Sequence, residues 1–355
     1  MNEQKVPADV PAQVEDVREP DAAARRPAPK NGARRAGIPG GTAGRNLGLV
    51  VALAVIGVVG YLTAGGRFAS LDNLMVILSL ASVIGVLSIG MTFVITAGGI
   101  DLSVGSVLGL ASVWATTLAT QTMADQYGWI IMVGCALAVG LGAGVVNGVL
   151  IAYGRVVAFI ATLAMMVAAR GLAELIANRR TQIVNVDSFT DTFRGDLLGV
   201  PKIVWIFVVV AVAGWFLLNR TTFGRRTVAV GGNPEAARLA GIKVRRHTMY
   251  LYALAGLAAG IAAVMMLART TAGSSTNGSF YELDAIAAVV VGGTLIAGGR
   301  GTIVGTVLGV LIFASLQNLF IQNNLDSSVQ LITKGAIIVV AVLLQQRFTT
   351  RSSTG

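Results

Sequence analysis

Side chains able to do chemistry are few in this chain, and nearly all of them are uncharged. Thr92, Thr96, Ser103, Ser106, Asn147, Thr294, Gln317 and Asn318 sit inside long apolar runs, with the acid Asp101 among them. Neutral hydroxyls and amides can donate and accept hydrogen bonds without placing charge in a low-dielectric medium. Such groups suit a path for a polyhydroxyl solute, and they also bond one helix to another. Bond-making chemistry has no candidate. No G-x-x-x-x-G-K-[ST] occurs, so no P-loop can cradle ATP phosphates. A nucleophile elbow and a His/Cys cluster are absent as well, and the one cysteine, Cys135, lies in an apolar run. No catalytic residue, metal ligand or resident cofactor is therefore expected.

Asp101 is the informative charge. An Asp at the centre of a bilayer costs roughly 3 kcal/mol on insertion scales, so one is rarely kept there without a role. It follows Gly98-Gly99 and precedes Leu102-Ser103, where a carboxylate can cap a helix start by accepting its orphan amide bonds. The cap reading is the stronger one, and it does not exclude a role in a pathway or gate.

The stretch that positions Asp101 occurs twice. Ala97 to Leu110 reads AGGIDLSVGSVLGL and Ala297 to Val310 reads AGGRGTIVGTVLGV, with eight of fourteen positions identical at an offset of 200. Each copy ends one apolar run at a Gly-Gly break and begins another. Paired, Gly-interrupted segments in two halves of a membrane protein point to a transport pathway. Candidate pathway residues are therefore Thr96, Gly98, Gly99, Asp101, Ser103, Asn147, Thr294, Gly298 and Gly299. The copies are parallel if both turns lie on one side. They are inverted if Leu71 to Ala97 is instead a pair of half-helices.

The chain around these breaks reads as an all-α polytopic membrane protein. Of its 355 residues, 54% are hydrophobic and 12% charged, with 44 Gly, whereas soluble domains average about 25% charged residues. Ten spans are expected, at about 46–64, 73–97, 101–121, 128–153, 156–177, 202–219, 248–268, 284–298, 303–322 and 329–346. Each is near the roughly 20 residues that cross a bilayer. The formal net charge of +10 reflects loops and tails rather than a nucleic-acid surface. Nineteen Lys and Arg fall on the face shared by both termini and six on the other, which places both termini in the cytoplasm. Residues 1–45 form a proline-rich tail read as disordered. Its basic half is held near anionic lipid. Residues 46–347 are the membrane domain, with 220–247 a basic cytoplasmic loop, and 348–355 are a second cytoplasmic tail.

Glycines four apart, such as Gly140, Gly144 and Gly148 or Gly256 and Gly260, read as helix-packing faces. Arg170 and Glu174 lie four apart and are expected to pair with each other. Lys334 is expected to extend outward from its span.

Within the basic loop, Asn233-Pro234-Glu235-Ala236-Ala237-Arg238-Leu239-Ala240-Gly241 encodes a short helix with both ends marked. Asn233 suits the N-cap and Pro234 the first helical position, and Gly241 ends it. Ala236, Ala237, Leu239 and Ala240 give it a small, mostly apolar surface, with Glu235 and Arg238 at a polar rim. Two turns alone are marginal in water, so such a helix needs a partner surface.

This loop, together with GMTFVITAGGIDLSVGS at Gly90 to Ser106, resembles the membrane permease subunits of bacterial ABC importers for monosaccharides, the ribose/xylose-type family. The resemblance spans about residues 46 to 347. It implies an inner-membrane, multi-pass permease working as a homodimer on a neutral monosaccharide. The loop helix then matches the family's coupling motif through Glu235, Ala236, Ala237 and Gly241. It implies docking on a separate ATPase subunit that carries ATP and Mg, and sugar delivery by a substrate-binding protein. Residues alone leave open an ion-coupled secondary carrier or a membrane scaffold without flux. The first of these usually needs a chain of ionisable groups at mid-depth, and few are visible here.

The tail has no apolar periodicity, so deleting residues 2–40 should leave membrane insertion and uptake near the full-length level. Loss of uptake at normal expression would make the tail a docking element.

Overall fold

The computed structural model describes residues 42–326, 328–336 and 339. Residues 1–41 of the expected tail, the end of the last expected span and the tail at 348–355 lie outside the described residues. In chain order the first helices are α1 (Thr42–Ala64), α2 (Leu71–Thr96), α3 (Val104–Ala115), α4 (Leu118–Tyr127), α5 (Ile130–Ala152) and α6 (Ala158–Ala177). After these come α7 (Asp187–Phe193), α8 (Lys202–Arg220), α9 (Thr222–Gly232), α10 (Pro234–Leu239), α11 (Val244–Thr270), α12 (Tyr281–Val291) and α13 (Ile303–Gln322). Residues 328–336 are helical too. Two small antiparallel pairs join β1 (Gln182–Ile183) to β4 (Ala272–Gly273) and β2 (Asp196–Leu197) to β3 (Val200–Pro201).

Among the described residues, seven helices are long and apolar enough to cross a membrane. They coincide with seven of the ten expected spans. The expected spans 101–121 and 284–298 are corrected to partial helices. α3 has 12 residues and rises about 18 Å at 1.5 Å per residue, well short of a hydrocarbon core of about 30 Å. The apolar run continues past Ala115, but Thr117 caps a new helix there, its hydroxyl accepting from Thr120 N. α12 has 11 residues and ends at Gly292-Gly293, where Gly293 adopts φ +90°. A period-based reading merges such halves because it counts apolar residues and cannot see a turn between them.

α11 and α2 form the centre. Inside the protein, 78% of the apolar stretch of α11 is buried and 67% of α2, against 11% of α1. α2 is one continuous helix of 26 residues, so the Gly-Gly turn after it and the one before α13 reach the same end, where Gly299 N donates to Thr96 O at 2.8 Å. The helix lengths around the two turns are reversed: long then short at the first, short then long at the second. The basic residues Arg220 to Arg246, with Arg300, gather at this end. Strand pair β1–β4 and the edge-on Trp129–Phe193 contact, with ring centroids 5.1 Å apart, mark the opposite end.

α5 and α11 meet through glycine. A Cβ on Gly140 would collide with the backbone of Gly256 and Gly260, and one on Gly144 with Tyr252 O; at Gly148 it would press on Met249. Lipid gives helices no hydrophobic reward for meeting, so this close approach supplies the packing. Gly144→Ala should therefore lose roughly 1–3 kcal/mol of stability, the usual effect of overpacking. Gly142→Ala on the same helix, with no atom within 4 Å of its added methyl, should not. Thermal melting of the detergent-solubilised pair checks this, and equal melting would remove the glycine seam as a stabilising feature.

Candidate functional site

The two Gly-Gly turns form one seam. Gly98 and Gly298 adopt φ +82° and +86°, and Gly299 φ +79°, a region that glycine enters without steric penalty. The turns are so close that a Cβ on Gly298 would meet Gly98 N and Cα. Thr96 Oγ1 donates to Thr92 O at 2.5 Å, and the hydroxyls of Thr92 and Thr306 meet at 2.8 Å. Thr294 Oγ1 accepts from Thr302 N at 3.3 Å. In the second copy Gly301 stands where the first has Asp101, and a Cβ there would strike Thr96 Oγ1.

Asp101 is buried, and its Oδ1 accepts from Ser103 N at 2.9 Å and from Ser103 Oγ at 2.6 Å. Asn147 Nδ2 in turn donates to Ser103 Oγ at 2.9 Å, tying α5 to the start of α3. The N-cap position itself belongs to Ser103. Asp101 instead closes the turn two residues earlier, a correction of position that keeps its capping chemistry. Thr96, Asp101, Ser103, Asn147 and Thr294 are all buried. They bond mainly within this end of the protein, and none of them lines the apolar cleft around Leu137 and Trp205 or the cleft around Ser106 and Arg170.

The basic stretch 220–247 is mostly helical, which its reading as a loop did not anticipate. The C-terminal end of α9 enters the seam: a Cβ on Gly231 would collide with Thr96 O and Gly299 N. α10 follows at once. Asn233 Oδ1 accepts from Glu235 N and Ala236 N, both at 3.0 Å, Pro234 opens the helix, and Gly241 leaves it at φ +83°. Arg238 Nε donates to Glu235 at 3.1 Å, and this bond holds the exposed Glu235 carboxyl below its ordinary range. The expected apolar surface is corrected at one residue. Ala237 is buried against its own chain, while Leu239 is 77% exposed and Ala236 and Ala240 are open beside it.

A third constellation lies toward the other end. Between β4 and α12 the backbone runs without helix along α3, with Gly273 against Thr116, Asn277 against Gly109 and Gly278 against Gly105. Arg170 of α6 donates through one nitrogen to Ser275 O and to Asn277 O, the latter at 3.0 Å. It does not pair with Glu174, which faces Arg179 at 3.8 Å. Glu282 and Asp284 are buried at the start of α12. Lys334 turns inward to Asp284 at 3.0 Å instead of extending outward. Glu282 escaped sequence reasoning because it fell two residues before the expected span at 284–298, and Asp284 because it stood at that span's first residue. The signal was present in the pattern E-x-D ahead of an apolar run.

A family described as "branched-chain amino acid transport system / permease component" matches residues 73–342. The chain belongs to this permease family. It is also similar to several relatives over about four-fifths of its length. The ribose import permease protein RbsC of Escherichia coli K12 is 41% identical, covering 84% of this chain and 92% of that protein. The L-arabinose ABC transporter permease protein AraH of Azospirillum brasilense is 38% identical over 79% of this chain and 81% of its own length. The xylose transport system permease protein XylH of Escherichia coli K12 is 33% identical over 82% and 88%. No solved structure matches the chain.

As a permease subunit rather than an enzyme, the protein needs its polar residues to hold and move helices. The structure brings the expected pathway group into one seam and the expected loop helix beside it. It leaves the Arg170–Glu282 constellation as a separate centre. At the seam, Asp101→Asn keeps an acceptor for Ser103 N and should keep protein level and uptake. Asp101→Ala removes it and should lower stability by about 1 kcal/mol, the scale of a lost cap. Membrane protein level and uptake read the difference. Normal levels of both variants with no uptake from either would make the charge itself essential.

Proposed function

We propose that this permease is the transmembrane subunit of an ATP-driven importer that moves a neutral monosaccharide of the ribose or xylose type into a bacterial cytoplasm. The observation that carries the reading is the 41% identity to a ribose import permease across 92% of that protein. The similarity extends over 303 residues. An ion-coupled carrier gains no support from any of these relatives.

Since the chain holds no P-loop, ATP and Mg belong on a separate ABC ATPase, and a substrate-binding protein delivers the sugar from outside. Residues 46–347 form the permease domain in the inner membrane, in contact with lipid. Among the described residues seven helices are long and apolar enough to cross it, with the Gly-Gly turns and both termini on the cytoplasmic side. The crowding of cations at the seam end supports that orientation. Asn233 to Gly241 form the coupling element. Its position next to α9, whose Gly231 sits against Thr96 and Gly299, supports a direct route from the ATPase to the seam residues Thr96, Gly98, Gly99, Asp101, Ser103, Asn147, Thr294, Gly298 and Gly299. A homodimer is proposed because Arg170 and Glu282 lie beside exposed residues of α6 and α12, and charge at that depth is not left facing lipid.

Leu239 is the test. A large apolar side chain 77% exposed on a two-turn helix outside the membrane suits a protein groove, where an introduced unpaired charge costs several kcal/mol. Leu239→Asp should give a normally inserted protein that co-purifies with at least tenfold less ATPase and has lost uptake. Normal transport by Leu239→Asp, or sugar flux through the wild-type chain without any ATPase, would sink this reading.

A further inference from the structure

The seam offers a solute little, because its hydroxyls and Asp101 are engaged within the protein and Asn147 Oδ1, though unpartnered, is fully buried. A better candidate is the cleft of about 450 Å³ between α3, α6 and the turn into α12, a size within the range of small-molecule sites, roughly 300–1,000 Å³. Its walls combine Ser106, Arg170, Ser279, Phe280 and Glu282 with the apolar side of α6 at Met166 and Val167.

Four observations converge there. First, Glu282 is only 8% exposed, and its Oε2 has no hydrogen-bond partner among the described residues. Buried polar atoms are nearly always bonded, so an oxygen left orphaned against Gly105 of α3, on a residue that also lines the cleft, marks a carboxylate whose partner is missing. Second, Arg170 is fixed in place by the carbonyls of Ser275 and Asn277. Its guanidinium has five N–H donors, of which these bonds engage a single nitrogen, and support of this kind holds the remaining donors in a set geometry. Third, Phe280 caps α12 with φ +65° and is 59% exposed. A bulky residue held in the left-handed region marks a constraint that the local sequence does not need, and here it leaves an exposed aromatic side chain among the cleft's lining. Fourth, an acid and a guanidinium in a cleft beside the exposed Val167 and Leu283 would be intolerable against lipid, so the cleft opens on water or on protein.

We propose that this cleft is where a neutral monosaccharide contacts the permease in transit, with Glu282 accepting from sugar hydroxyls, Arg170 and Ser279 donating to them, and Phe280 covering the ring's apolar face. A hydroxyl-rich ligand supplies the donors that Glu282 lacks, and it needs no net charge because Arg170 and Glu282 balance each other. The site sits at an interrupted helix, the kind of element from which transporter sites are built. The proposal rests on the importer reading above and adds to it the residues that touch the solute.

The experiment uses the assembled transporter with its ATPase and binding protein, reconstituted in proteoliposomes, and D-ribose, D-xylose and L-leucine as probes. Glu282→Gln and Phe280→Ala should each reduce sugar uptake at least tenfold, with complex assembly and basal ATP hydrolysis at wild-type levels, so that more ATP is hydrolysed per sugar moved. Ser279→Cys in a Cys135→Ser background should react with a membrane-impermeant cationic methanethiosulfonate, a readout that does not depend on the first two variants folding. Wild-type uptake by both variants overturns the site while leaving the importer reading intact. So does a loss of uptake that only follows a loss of assembly, or a Ser279→Cys that never reacts. If the wild-type complex moves L-leucine and neither sugar, the importer reading for sugars fails and the site falls with it.

Discussion

Backbone that leaves the helix inside a membrane must find its hydrogen bonds within the protein, and this constraint shapes the whole permease. The chain breaks helical order at depth beside α3 and again around α12. Each break is answered by a specific partner. Arg170 takes up the carbonyls of Ser275 and Asn277, Asn277 Nδ2 reaches Ser112 Oγ at 3.2 Å and Ala272 O at 3.0 Å, and Asp101 closes the start of α3. A charged residue is retained on α6 because the loop opposite it has carbonyls to satisfy. The pair of buried Asp284 with half-buried Lys334 ties the start of α12 to the last described helix in the same manner.

Around these breaks the protein is held by close approach rather than by bulk. α5 and α11 touch backbone to backbone along their glycines, and the two Gly-Gly turns touch each other and the end of α9. α2 and α13 add a reciprocal amide pair, Asn73 with Asn318, at 3.0 and 2.8 Å. Interfaces with so little side chain between them transmit a displacement without absorbing it, since close-packed interiors are stiff. In the proposed importer this gives the ATPase a short lever. Movement of α10 passes through Asn233 and Gly231 to the seam, where the starts of α3 and α13 begin.

The polar residues thus divide by task. Those of the seam bond mostly to one another, Asn147 Oδ1 excepted, and serve geometry. Those of the cleft at α12 retain an unmet acceptor and serve, in the proposed reading, the solute. A permease has reason to keep the two apart, because a group fully engaged in holding the fold has nothing left to offer a ligand.

Much of this was legible in the residues. Apolar runs near 20 residues long marked seven helices, since length and hydropathy are local properties that a bilayer reads one segment at a time. The loop helix was legible to within a residue, because Asn233, Pro234 and Gly241 act on their own backbone. The Gly-Gly turns were legible for the same reason. Tertiary structure alone decided which partners met. Local spacing offered Glu174 to Arg170 and the bulk phase to Lys334, yet carbonyls about a hundred residues away and Asp284 took them. It also split two apparent spans into partial helices, turned Ala237 inward while leaving Leu239 out, and left Glu282 without a partner. Each of these depends on what a side chain finds across a gap in sequence. The energy of a charge at low dielectric is set by that neighbour and not by the residues on either side of it.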